Sequence, residues 1–164
     1  MDIGVRIEID RADLARVSAL VTGLSEFDAG ELVAEIVQLG ENQTRKRIES
    51  GGPAPDGTAW QPNWAGTPIL LETGRHLHDS IASNSWGDGG EWGASWEYAH
   101  VHQEGMVITP KNGAALKFWF QKGGFVEFVM AKQVTIPARP FVGVSAGDAQ
   151  KIRELVTDFL GRLL

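Results

Sequence analysis

The first ten positions alternate. Ile3, Val5, Ile7 and Ile9 are interleaved with Gly4, Arg6, Glu8 and Asp10, and a period of two with one apolar face predicts a strand. The period then lengthens: Leu14, Val17, Leu20, Val21 and Leu24 recur at helical spacing, behind Asp10 as a cap. "SEFDAGE" interrupts this helix, and Asp28 with Glu31 three positions on reads as a capping box. A longer helix follows, with Leu32, Val33, Ile36, Val37 and Ile48 turned toward a core. Arg45, Lys46 and Arg47 fall in its last turns, where cations complement the helix dipole, and Gly51 and Gly52 end it.

Periodicity then disappears. "GGPAPDGTAWQPNWAGTP", positions 51–68, holds too much Gly, Pro and Asp for a helix or a central strand. Long loops are either functional or disordered, and the indoles of Trp60 and Trp64 favour order because they have apolar area to bury. "ILLETGRHLHDSIAS" places Ile69, Leu70, Leu77 and Ile81 on one helical face, with a weak point at Gly74. "SNSWGDGGEWGAS" predicts two short strands about a Gly-rich turn. A second hairpin is predicted where "AALKFWFQ" and "FVEFVMAKQVTI" flank "KGG", with Leu116, Phe118 and Phe120 alternating against Lys117, Trp119 and Gln121. "PARPF" follows, extended by its two prolines. The last helix opens on a Ser145–Asp148 capping box and carries Ile152, Leu155, Val156, Phe159, Leu160 and Leu163.

The strands cluster rather than alternating with helices. This predicts an α+β fold: an antiparallel sheet of hairpins packed by N-terminal and C-terminal helices. Residues 1–164 form one domain with an irregular excursion at 51–68, since neither flank could build a core alone. The composition of 43% hydrophobic and 22% charged residues fits an ordinary globular domain. A net charge of −6 argues against gripping nucleic acid over a broad basic face, but leaves room for DNA passing nearby. The absence of cysteine excludes disulfides, thiolate catalysis and Cys-based zinc sites. No apolar run approaches the roughly 20 residues of a membrane span, and the alternating N-terminus does not resemble a signal peptide.

All four histidines fall in two His-x-His pairs, His76/His78 and His100/His102. Such a pair converges on a metal only along a strand, because two helical residues diverge by roughly 200°. The first pair lies in a predicted helix. In "YAHVHQEG" a strand would align Tyr98, His100 and His102. A short helix would instead stripe Tyr98, Ala99, Val101 and His102 inward and stop at Gly105, which sorts polarity better. A metal-dependent hydrolase built on His100 and His102 is therefore one alternative. A carbohydrate-binding platform of Trp86, Trp92, Trp96 and Trp119 is another, although exposed tryptophans more often serve a core or an interface. No Gly-x-Ser-x-Gly, phosphate-binding loop or His-Glu-x-x-His is present.

Taken together, "PDGTAWQP", "ILLETGRHLHDSI", "YAHVHQEG", "IPARPFVGVS" and the closing amphipathic helix resemble the phage virion morphogenesis, or tail completion, proteins over nearly the whole chain. The Trp-rich hairpin departs from that pattern, as does Glu104, where the family more often has an aromatic residue. The resemblance implies a non-enzymatic structural protein without cofactors, a tail-terminator or connector-like subunit acting in tail completion and head–tail joining. It would form a homo-oligomeric ring of six or twelve copies, contact other neck, connector and tail proteins, and let DNA pass its lumen. Its place would be the neck or tail end of the virion, after assembly in the host cytoplasm, with no membrane contact. Within it, Tyr98, His102, Gly105 and Phe141 would shape the fold. Trp60, Trp64, Trp92, Trp119 and Arg139 would serve interfaces, with the Arg139 guanidinium exposed toward a carboxylate of a neighbour.

Overall fold

A computed structural model describes residues 11–25, 27–71 and 76–162. The strand expected over Ile3–Ile9, its Asp10 cap, Gly74 and Leu163 lie outside the described residues. The elements run α1 (Arg11–Ser25), α2 (Ala29–Glu49), α3 (His76–Asp79), β1 (Ile81–Trp86), β2 (Gly89–Ala94), α4 (Ala99–Glu104), β3 (Met106–Ile108), β4 (Leu116–Lys122), β5 (Phe125–Ala131), β6 (Val134–Ile136) and α5 (Ala146–Gly161).

The spine is α2. Asp28 caps it by accepting from the Gly30 N–H at 2.8 Å, without the reciprocal Glu31 bond that would complete a box. Its C-terminus is released by Gly51 and Gly52, both at positive φ. The β1–β2 hairpin, turning at Gly87 and Asp88 as expected, lies across α2. Contact is close because glycines face it. A Cβ at position 90 would meet Val37 at 2.7 Å, and one at position 40 would sit 2.5 Å from the Trp92 ring. Polar bonds lock the same junction: Arg45 donates to the Ile81 carbonyl at 2.6 Å and Ser83 to Glu41 at 2.6 Å.

Behind α2 lies α5. Its Ser145–Asp148 capping box forms as predicted. The Asp148 carboxylate also takes the Arg47 guanidinium in a buried ion pair. Phe159 meets Phe27 edge-to-face at 6.0 Å. The core cluster gathers Ile48, Ala54, Trp60, Leu77, Ile81, Ala99 and Phe141.

Three expectations need correction. Of the helix predicted over 69–81, the described residues form only the single turn α3, with Ile69 to Leu71 outside it; Ile81 instead opens β1 and pairs with Ala94. Leu77 and Ile81 are both buried as the helical pattern required, but from different elements. Second, among the described residues the predicted sheet is three separate antiparallel ribbons, β1–β2, β3–β6 and β4–β5. Pro110 follows β3 and Pro137 follows β6, and a proline cannot extend a ladder. The α+β class stands. Third, Trp60, expected at an interface, is buried and belongs with Ala54 to the core.

Candidate assembly surface

"YAHVHQEG" folds as the short helix α4, entered at Tyr98 and ended by Gly105 at φ 76°. A Cβ at Gly105 would lie 2.8 Å from the Ala138 nitrogen, so the turn requires both the left-handed backbone and the missing side chain. The close neighbour is the proline-rich link. Arg139 N–H donates to the His102 carbonyl at 2.7 Å. The Gln103 amide does the work of a pairing strand. Its oxygen accepts from Phe141 N–H (3.0 Å) and Val142 N–H (3.1 Å), and its NH2 donates to the Val142 carbonyl (3.1 Å). Phe141, 1% exposed, is thereby seated in the core.

Arg139 is also buried, at 6% exposure, and its Nε donates to the Gln61 carbonyl at 2.9 Å. Burial pulls its guanidinium below the usual range. The side chain ties the 51–68 loop to the link and does not present a cation to a neighbour, which corrects the expected surface role. Arg139→Ala should therefore cost about 1–3 kcal/mol, the penalty of leaving buried polar groups unpaired. A shift in the denaturant midpoint at constant m value checks this.

The histidines do not converge. One from each pair flanks Trp96: His76 stacks at 6.3 Å and His102 at 5.9 Å, while Tyr98, half exposed, meets the indole edge at 5.5 Å. Burial lowers the His102 pKa from its ordinary 6.5, and the Arg139 charge adds to this. His78 is buried with its ring nitrogens 2.8 Å from Asp79 and 3.0 Å from Glu49, pinning α3 to the end of α2. His100 is exposed on α4. Among the described residues no group of three or more metal-ligating side chains comes together. The tryptophans form no common platform either. Trp92 covers Gly40, Trp96 is sandwiched, Trp86 sits on β1 and Trp119 on the separate β4–β5 ribbon.

The surface is unusual at β4–β5. Register places Trp119 opposite Phe128, Lys117 opposite Met130 and Gln121 opposite Val126 on one face. That face is open: Trp119 is 71% exposed, Phe128 59%, Met130 60% and Val126 65%. On the opposite face Phe118 and Phe120 are half-buried, with Trp64 edge-on to Phe120 at 6.3 Å. Trp64, itself 62% exposed, lines a groove of about 460 Å3 with Phe118, Phe120, Ile136, Pro137 and Arg139. A second open apolar face runs along α1, where Leu14, Val17 and Val21 are each nearly 60% exposed and Leu20 is 38% exposed. The sequence puts these α1 residues on one face of a helix expected to pack the sheet, and on the arm only Trp119 was an expected interface residue. "FVEFVM" carried the missing signal, since it is apolar at both parities and so greasy on both faces.

No helix of the described chain is long and apolar enough to cross a membrane. Searches of curated proteins and of solved structures find no match to this chain. A family model does match, that of the phage virion morphogenesis family, over residues 13–161. With that match spanning almost all of its 164 residues, the chain belongs to the phage virion morphogenesis family, and its role is in building the phage particle.

Proposed function

We propose that this protein is a non-catalytic structural subunit of the virion neck or tail end, acting in tail completion and head–tail joining as a closed homo-oligomeric ring. Family membership supports a part in virion construction. The single observation that carries the finer reading is the open aromatic face of β4–β5. Monomeric proteins rarely leave so contiguous an apolar patch in water, and such patches mark sites of association. A ring also needs two different contact surfaces on each subunit, because head-to-tail association closes only when unlike faces meet. The subunit has two, on the arm and on α1. The net charge of −6 suits a lumen through which DNA slides without being held. Other neck and tail proteins would dock on the rims, during assembly in the host cytoplasm.

Mass photometry of the purified protein is expected to give one discrete species of six or twelve copies. Phage lacking the protein is expected to accumulate filled heads and finished tails that do not join, as counted by electron microscopy. A monomer at every concentration, together with normal particle yield from the deletion, would remove this reading.

A further inference from the structure

The β4–β5 ribbon and helix α1 are each apolar on a face that no other described element covers. Since both faces remain open in the subunit, they do not cover one another within it. Their dimensions match. Fifteen residues of α1 at a helical rise give a stripe about 22 Å long. Seven-residue strands rise about 23 Å. A helix with one apolar stripe and a ribbon with one apolar face are the two halves of an ordinary helix-on-sheet layer, the arrangement that buries both.

We propose that α1 of one copy packs on the Trp119–Phe128 face of the β4–β5 arm of the next, and that this contact joins the ring. The inference rests on the ring reading above and names its contact. Area supports a second copy as the occupant. An aromatic side chain carries roughly 150–250 Å2, so Trp119 and Phe128 at their exposures offer on the order of 300 Å2. Adding Val126, Met130 and the α1 stripe brings the area buried by both partners to roughly 800–900 Å2 before backbone and flanking polar atoms are counted, close to the ~1,000 Å2 of a specific interface. The contact is heterologous. Each copy gives an arm and a helix, two unlike surfaces, so association propagates until the ring closes. It also protects the arm, because an exposed apolar two-stranded ribbon otherwise invites edge-to-edge aggregation.

The chain has no cysteine, which makes the test direct. Val17→Cys and Phe128→Cys are made singly and together, and treated with a short bifunctional maleimide. Both positions are more than half exposed, so folding is expected to survive; a melting curve for each variant checks it. The double variant should give a covalent ladder up to the size of the ring. Mixing the two single variants should give cross-linked dimers, and each alone should stay uncoupled. In parallel, the Trp119→Ser/Phe128→Ser variant should keep its melting temperature and raise the concentration needed for assembly at least tenfold. Coupling of Val17→Cys with itself would mean a two-fold helix–helix contact and overturn the proposal. So would coupling confined within one chain, or a wild-type ring that the serine variant leaves intact and the double variant does not cross-link; the ring reading would then survive with another contact. A wild-type chain that is monomeric at every concentration removes both.

Discussion

Arg47→Ala is expected to lower the free energy of unfolding by about 3–5 kcal/mol, the range for removing one partner of a buried ion pair. The side chain reaches across the molecule. Its Nη1 donates to the Phe141 carbonyl at 2.7 Å and the Gly143 carbonyl at 3.3 Å, and its Nη2 meets the Asp148 carboxylate. Truncation strands a buried anion and two carbonyls together. Against a total stability of about 5–15 kcal/mol this is a large fraction. Arg47→Lys keeps the charge but not the fork that spans three acceptors, so it should recover only part of the loss. Denaturant titration of the three proteins at pH 7 measures both steps.

The same pair sets an acid limit. Burial pushes the Asp148 carboxyl up, but bonds from Ser145 and the Arg47 guanidinium outweigh it and hold the group below its ordinary 3.8. A depressed carboxyl pKa contributes stability that is present above 3.8 and is lost as pH falls through the lower, folded value. His102 adds a decline that sets in at higher pH. Its folded pKa lies below 6.5, so the unfolded chain takes up the proton first, and stability falls as pH drops below 6.5. In Arg47→Ala the Asp148 limb should move to higher pH.

Trp60→Ala should cost about 3–5 kcal/mol, the range for deleting a buried aromatic side chain, while Trp64→Ser should leave the melting temperature unchanged. Trp60 packs with Ile48, Leu77, Ile81 and Phe141, and its Nε1 donates to the Pro140 carbonyl at 3.1 Å. A Cβ on Gly52 would stand 3.0 Å from the indole, so the chain leaving α2 wraps directly onto the ring. Trp64, four positions on, sits in the outer groove. Equal losses in the two variants would place Trp64 in the core as well.

This contrast marks what sequence alone conveys. Helices with several turns of one-faced spacing were legible: α2, α5 and their ends follow from periodicity, caps and glycines. So were both hairpins, because turn glycines fix their positions. Even the choice of helix over strand at α4 followed from where polarity fell and from Gly105. Contacts in the irregular segments were not legible, since nothing periodic says which of two tryptophans in a loop turns inward. Arg139 was misplaced for the same reason; its acceptor is a backbone carbonyl, which any residue supplies and no sequence pattern marks. The run from Ile69 to Ile81 misled because a buried residue every few positions suits a helix and also suits a turn followed by a strand. α1 misled in another way, since amphipathicity reports that a face needs covering and not whether its own chain covers it.

The Arg47–Asp148 pair joins residues 101 positions apart, and Phe141 fills the core from the same distant end of the chain. During synthesis the N-terminal portion emerges first, at about 5–20 residues per second. A nascent chain that has passed α2 and both hairpins still lacks the plug and the counter-charge for the helix it has already made. The contacts that close this core are therefore long-range in sequence and need residues 141–148 to form. A chain cut before Phe141 lacks both the core aromatic and the partner of Arg47, and is expected to be cleaved faster than the full chain in limited proteolysis.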